Sequence, residues 1–109
     1  MVERQSLFWP RQRQAETGLR AATLFVRHRV VDYAAWRRAY DDFGAVQKAK
    51  GVRSEAVYQA ADDPNDVTIT HDFASIREAQ SFLASEELRQ AVERAGVVGE
   101  PTVWIARKA

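Results

Sequence analysis

Only two side chains in the sequence titrate near neutral pH, and both lie in runs that alternate apolar with polar residues. His28 sits in FVRHRVVDYAAW (25–36) and His71 in DVTITHDF (66–73). An imidazole can take a proton from a phenol or an enolisable carbon acid and hand it back, so each is a candidate catalytic acid/base. Period-two alternation places Leu24, Val26, His28 and Val30 on one face of a strand, and Val67, Ile69, His71 and Phe73 on one face of another. Both faces are apolar and are predicted to meet helices, which turns both imidazoles toward the aromatic stripe of Trp36, Tyr40 and Phe43. With Phe73 and Phe82 these are the candidate walls of a site for an aromatic molecule, since a few polar groups in a mostly apolar pocket is the usual form of a small-molecule site. A plainer reading stands beside this one. In it each histidine bonds a backbone carbonyl or a tyrosine hydroxyl inside the core, and the aromatics are packing alone.

Other chemistries find little support in the sequence. Cysteine is absent, which removes disulfides, thiolate nucleophiles and Cys-built metal sites. The two histidines are expected roughly 7–10 Å apart at ~3.3 Å per residue, too far for a shared zinc ion, and a third donor is not evident. Neither a metal nor a cofactor is predicted. There is no Gly-rich phosphate loop and no nucleophile with an adjacent base. Arg27 and Arg29 fall on the face opposite His28, where Asp72 or Glu55 are the expected partners, because charges leave water only when paired.

The elements that must position these groups follow from local signals. ATLFVRHRVV (22–31) is the first strand. Asp32 caps a helix whose stripe is Tyr33, Trp36, Tyr40 and Phe43, and Gly51 ends it. Arg37 with Asp41 and Arg38 with Asp42 are spaced for pairing on its wet side. VRSEAVYQA (52–60) and DVTITHDF (66–73) are two strands, with ADDPN (61–65) as the turn between them. Ser75 and Glu78 form a capping box opening a helix with Ala79, Phe82 and Leu83 on its apolar side. Ser85, Glu86 and Glu87 start another, with Leu88, Ala91, Val92 and Ala95 as its buried side and Gly96 as its stop. PTVWIARKA (101–109) is the closing strand. The order is that of a ferredoxin-like βαββαβ plait, an α+β fold with a four-stranded antiparallel sheet and helices on one face. Val57, Phe25 and either Trp104 or the Val103/Ile105 pair are expected on the uncovered face, which is apolar enough to favour a sheet-to-sheet homodimer.

The chain has 109 residues, 46% hydrophobic and 28% charged, with a net charge of +1, which fits one globular domain and gives nothing to draw it to nucleic acid or an anionic membrane. Residues 1–21 read as an arm and 22–109 as the domain: residues 1–20 carry four Arg against two Glu, with Pro10 and Gly18. The start lacks the continuous apolar region of a signal peptide, and no run is long enough to span a membrane, so a cytoplasmic location is expected. RNA-recognition domains share the strand order, but DVTITHDF has neither the glycine nor the basic residue of their motif, and nucleic acid is not an expected partner.

Taken together, VRHRVVDYAAW, ADDPNDVTITHDF and SEELRQAVERAGVVGEP resemble the dimeric α+β barrel superfamily, and within it the antibiotic biosynthesis monooxygenase-like proteins. The resemblance covers roughly Thr23 to Ile105. It implies a homodimer with a pocket between sheet and helices; the superfamily holds cofactor-free oxygenases of polyketide aromatics, haem-degrading enzymes, isomerases and cyclases, and members without known activity. Haem-degrading members carry a histidine on the last helix, an Asn on the first strand and a Trp ending the third strand; this chain has none of these, its third strand ending in Phe73. The polyketide oxygenases place Asn, Trp and Tyr around substrate, where this chain offers Trp36, Tyr40, His28 and His71. The expected function is that of a small cofactor-independent enzyme acting on an aromatic or polyketide-like molecule by oxygenation or by proton-transfer isomerisation or cyclisation. The alternative is a non-enzymatic homodimer, ligand-binding or stress-related, in which the histidines are structural.

Overall fold

The computed structural model describes residues 21–109. Strand β1 (Ala22–Val30) leads to helices α1 (Tyr33–Asp42) and α2 (Gly44–Ala49). The hairpin β2 (Ser54–Ala60) and β3 (Asp63–Phe73) follows, then helices α3 (Ile76–Leu83) and α4 (Glu86–Arg94), and strand β4 (Val97–Ala106). The sheet is antiparallel throughout, in the order β2-β3-β1-β4, as the ferredoxin-like reading requires. Among the described residues no helix is long and apolar enough to cross a membrane. The proposed arm falls on residues 1–21, and all but its last residue lies outside the described part.

Caps set the helix starts. Asp32, Ser75 and Ser85 each accept a bond from the backbone N–H three residues on, satisfying a donor that the helix itself leaves free. The expected single helix from Tyr33 to Lys50 is broken at Phe43, whose N–H is shared between the Ala39 and Tyr40 carbonyls. The break comes immediately before Gly44, the poorest helix former after proline. Gly51, with φ at +104°, ends the segment as expected.

Several finer expectations are corrected. The hairpin turn is only Ala61–Asp62. Asp63, Pro64 and Asn65 instead extend β3, with a register shift between Gln59 and Ala60. Pro64 is tolerated there because it lies beyond Asp66, where pairing with β1 stops. β4 starts at Val97 rather than Pro101, its early part joined through an irregularity opposite Arg27–Arg29, with Gly99 in the left-handed region. Val57 pairs with Ile69 and packs into the core, so it lies on the helix face, not the open one. On the open face Trp104, not Val103 or Ile105, sits opposite Phe25, and the two rings stack 5.1 Å apart within 2° of parallel.

Arg27 and Arg29 are on the open face but pair with neither Asp72 nor Glu55. Arg27 binds Asp66 and Arg29 binds Asp63, each at 2.7 Å, along the same end of the sheet. Asp72 is taken by the Thr23 and Ser54 hydroxyls, which hold its carboxyl below the usual range.

The core has two centres. One gathers Leu24, Val52, Phe73, Ala79 and Phe82; the other gathers Val30, Trp36, Val67 and Ile69. Phe73 is fully buried against Phe82, and truncating it removes a whole ring from a packed site. Phe73→Ala is expected to lower unfolding free energy by about 3–5 kcal/mol, read by chemical denaturation.

Candidate functional site

Between the helix face of the sheet and the helices lies a cavity of about 320 Å³, within the size range of small-molecule sites. β1 contributes Leu24, Val26 and His28, and β3 contributes Ile69 and His71. α1 supplies Trp36 and Tyr40, and beyond it stand Phe43, Gln47 and Phe82. One side of α4 closes the cavity. Leu88, Ala91, Val92 and Ala95 are only half-buried there, so the side expected to be core is instead a cavity wall, and α4 has no fully buried residue. Arg89 and Glu93 stand on the same wall.

Of the candidate residues, His28, His71, Trp36, Tyr40, Phe43 and Phe82 come together around this space, and Phe73 does not. Phe73 points the same way as His71 but lies two residues further along β3, beneath α3, where Phe82 covers it.

The rings form a continuous ladder. His28 meets Trp36 edge-on at 5.7 Å between centroids, Trp36 stacks on Tyr40 at 4.9 Å, and Tyr40 stacks on His71 at 6.0 Å. The edge of the His71–Phe82 pair closes it at 5.5 Å. Register puts His71 opposite Leu24 and His28 opposite Val67, four residues apart along the sheet. That is about 13 Å at ~3.3 Å per residue, farther than expected from sequence, and Trp36 and Tyr40 fill the interval.

The histidines are buried, with 7% of His28 and 5% of His71 exposed. Among the described residues neither ring nitrogen of His28 has a partner, and burial pushes its pKa below the ordinary value. His71 is different. Its Nε2 lies 2.9 Å from the Tyr40 hydroxyl, which in turn donates to Glu55 Oε1 at 2.7 Å. With the phenol's one proton committed to Glu55, Nε2 must carry the proton shared with Tyr40, and Nδ1 keeps a lone pair with no partner. Burial pushes the His71 pKa down to about 4, against the upward pull of Glu55 and Asp72. Burial, and then the bond to Glu55, raise that of Tyr40. The resting site therefore holds neutral imidazoles and a neutral phenol.

Glu55 and Gln47 were not anticipated from sequence. Gln47 is buried and continues the α1 stripe at the same spacing, Trp36, Tyr40, Phe43 and Gln47. Glu55 shares its face of β2 with Val57 and lies opposite His71. Reading Val57 as inward would have brought Glu55 in with it.

No family model matches the chain, and no curated protein does. Solved structures do. SnoaB, a cofactor-independent oxygenase from Streptomyces nogalater, aligns over 83% of this chain and 96% of its own, at 16% identity and a TM-score of 0.66. An antibiotic biosynthesis monooxygenase-type protein from Bordetella bronchiseptica aligns over 82% and 97%, at 14% identity and 0.72. One from Caulobacter crescentus aligns over 91% and 99%, at 11% identity and 0.70. At such identities the likeness is one of fold, and the chain has the fold of the antibiotic biosynthesis monooxygenase-like proteins, as the resemblance implied.

The lowered histidine pKa values carry a pH signature. The unfolded chain protonates its histidines near 6.5, whereas folded His71 resists until about 4, so the unfolded state binds more protons between those values. Stability is expected to fall as pH drops from ~6.5 to ~4, by up to about 3 kcal/mol from His71 alone. Denaturation midpoints measured across that window should show the loss in wild type and a shallower one in His71→Gln.

Proposed function

We propose that the protein is a small cofactor-independent enzyme acting on an aromatic or polyketide-like molecule, by oxygenation or by proton-transfer isomerisation or cyclisation. The observation that carries this reading is a pair of buried histidines that line an aromatic cavity and whose rings keep nitrogens without partners among the described residues. A buried polar atom without a partner is disfavoured by about 1–3 kcal/mol. A ligand bearing phenol or carbonyl oxygens would supply the missing bonds once a small turn of the rings brings these enclosed nitrogens to the cavity surface, and Trp36, Tyr40, Phe43 and Phe82 would hold its rings. The likeness in fold to a cofactor-independent oxygenase is consistent with this and is an argument by analogy.

In the proposed reaction His28 or His71 removes a proton from an activated ring carbon. In isomerisation or cyclisation the same imidazole returns that proton to a different atom. In oxygenation the carbanion supplies the electrons and dioxygen accepts them. A carbon–oxygen bond forms, the peroxide takes up the proton, and loss of water from a former CH₂ leaves a carbonyl. The electron-rich substrate thus does the work that a flavin would otherwise do.

This reading takes residues 22–109 as the working domain, preceded by an arm over 1–21, in a cytoplasmic protein. It also takes the open sheet face as the contact of a homodimer. Support comes from the Phe25–Trp104 stack and from Tyr58, with 45% of Trp104 and 58% of Tyr58 exposed. Register places all three on that face.

Two measurements test these claims. Oxygen uptake and product formation with a panel of fused-ring phenols should fall by about 10²–10⁴ in kcat/KM for His71→Ala or His28→Ala, whichever is the base. Unchanged turnover in both would end the mechanism. Native mass spectrometry should give a dimer for wild type and a monomer for Trp104→Glu; a monomeric wild type would remove the sheet-to-sheet contact.

A further inference from the structure

A second, more polar cleft of about 580 Å³ opens on the other side of Tyr40. Tyr40 and Gln47 line both spaces, His71 lines only the inner cavity, and Glu55 lines only the cleft. Glu55 is exposed and His71 is buried, yet the phenol of Tyr40 bonds to both, at 2.7 and 2.9 Å. We propose that Glu55, Tyr40 and His71 form a proton conduit through the cavity wall, connecting a ligand held inside to water in the outer cleft. This rests on the acid/base role proposed above for His71.

The need for such a path follows from burial. A histidine that simply accepted a proton here would become an imidazolium in an apolar site, the state that burial opposes. Accepting at one nitrogen while donating from the other avoids that charge. The ligand's proton goes to Nδ1, whose lone pair has no partner among the described residues and which a small turn of the ring must bring to the cavity surface, and the Nε2 proton passes to the Tyr40 oxygen. The phenol's own proton moves to the Glu55 carboxylate, which releases it to water in the cleft. No electrons are transferred: one proton has left the cavity, the phenol is regenerated, and the imidazole is left as its Nδ1–H tautomer. Running the chain backwards returns a proton to product and restores the starting tautomer. Because phenolate formation is also disfavoured, the two outer transfers move together through a neutral Tyr40.

The surroundings are consistent with net negative charge being held at the outer end. Arg37 lies over the Tyr40 ring at 5.4 Å, on the outer side of α1. Asp72 follows His71 in sequence but faces the opposite side of the sheet, held by two hydroxyls. On α4, Arg89 and Glu93 are charges of opposite sign in contact with each other. Glu55 is thus the acidic group coupled to His71 by hydrogen bonding.

The test is nitrogen-15 NMR of the histidine side chains in the full chain, which needs no substrate. Wild type should show neutral His71 with its proton on Nε2, and Tyr40→Phe should lose that preference. Glu55→Gln, at an exposed position, should keep the tautomer but slow exchange of the Nε2 proton with water by about tenfold or more. A wild-type proton on Nδ1, or equal exchange in wild type and Glu55→Gln, would overturn the conduit. Full turnover by Glu55→Gln would also overturn it while leaving the proposed enzyme standing. An intact conduit in a protein inert toward fused-ring phenols would count against the proposed enzyme instead.

Discussion

The antiparallel pairing of β1 with β3 fixes everything built on top of it. Val26 opposite Ile69 puts the odd-numbered side of β3 and the even-numbered side of β1 under the helices, and the whole cavity floor follows from that match. A slip of one residue would expose Val67, Ile69 and Phe73 together, so hydrophobic burial enforces the register strongly. The imidazoles come along as passengers. They are buried because their strand neighbours are, and the core's tolerance for them depends on what the neighbouring aromatics offer.

Those aromatics treat the two histidines differently. Tyr40 provides His71 with a polar partner and a link to Glu55, whereas among the described residues the aromatic neighbour of His28 is the ring of Trp36, which it meets edge-on. One fold therefore holds an oriented imidazole and an unoriented one at opposite ends of the same ladder. α4 covers them without a fully buried residue of its own.

Much of this was legible in the sequence because its signals are local. Asp32, Ser75 and Ser85 act as caps, Gly51 and Gly96 adopt positive φ, and the faces of β1 and β3 follow simple alternation. Six of the seven candidate residues meet at one cavity. What failed was non-local. β2 alternates weakly, because Ala56 and Tyr58 flank Val57 without a charged or strongly polar residue to mark the wet side, so its facing was misassigned, and Glu55 was sent to the wrong side with it. The turn residues Asp63, Pro64 and Asn65 proved to be strand because pairing with β2 outruns pairing with β1. Phe73 has the same parity as His71 but a different depth, and depth depends on where α3 lands.

The placement of the indoles has a practical consequence. The chain has three tryptophans, and two lie in the described domain, on opposite sides of the sheet. Trp36 is buried on the cavity wall between His28 and Tyr40; Trp104 is half-exposed on the open face, stacked on Phe25. Their emission should differ in colour, that of Trp36 bluer and that of Trp104 redder, because one is shielded from water and the other is not. With Trp9 replaced, each indole becomes an intrinsic optical reporter for its own side of the sheet: quenching of the blue component signals something entering the cavity, and a blue shift of the red component signals something covering the open face.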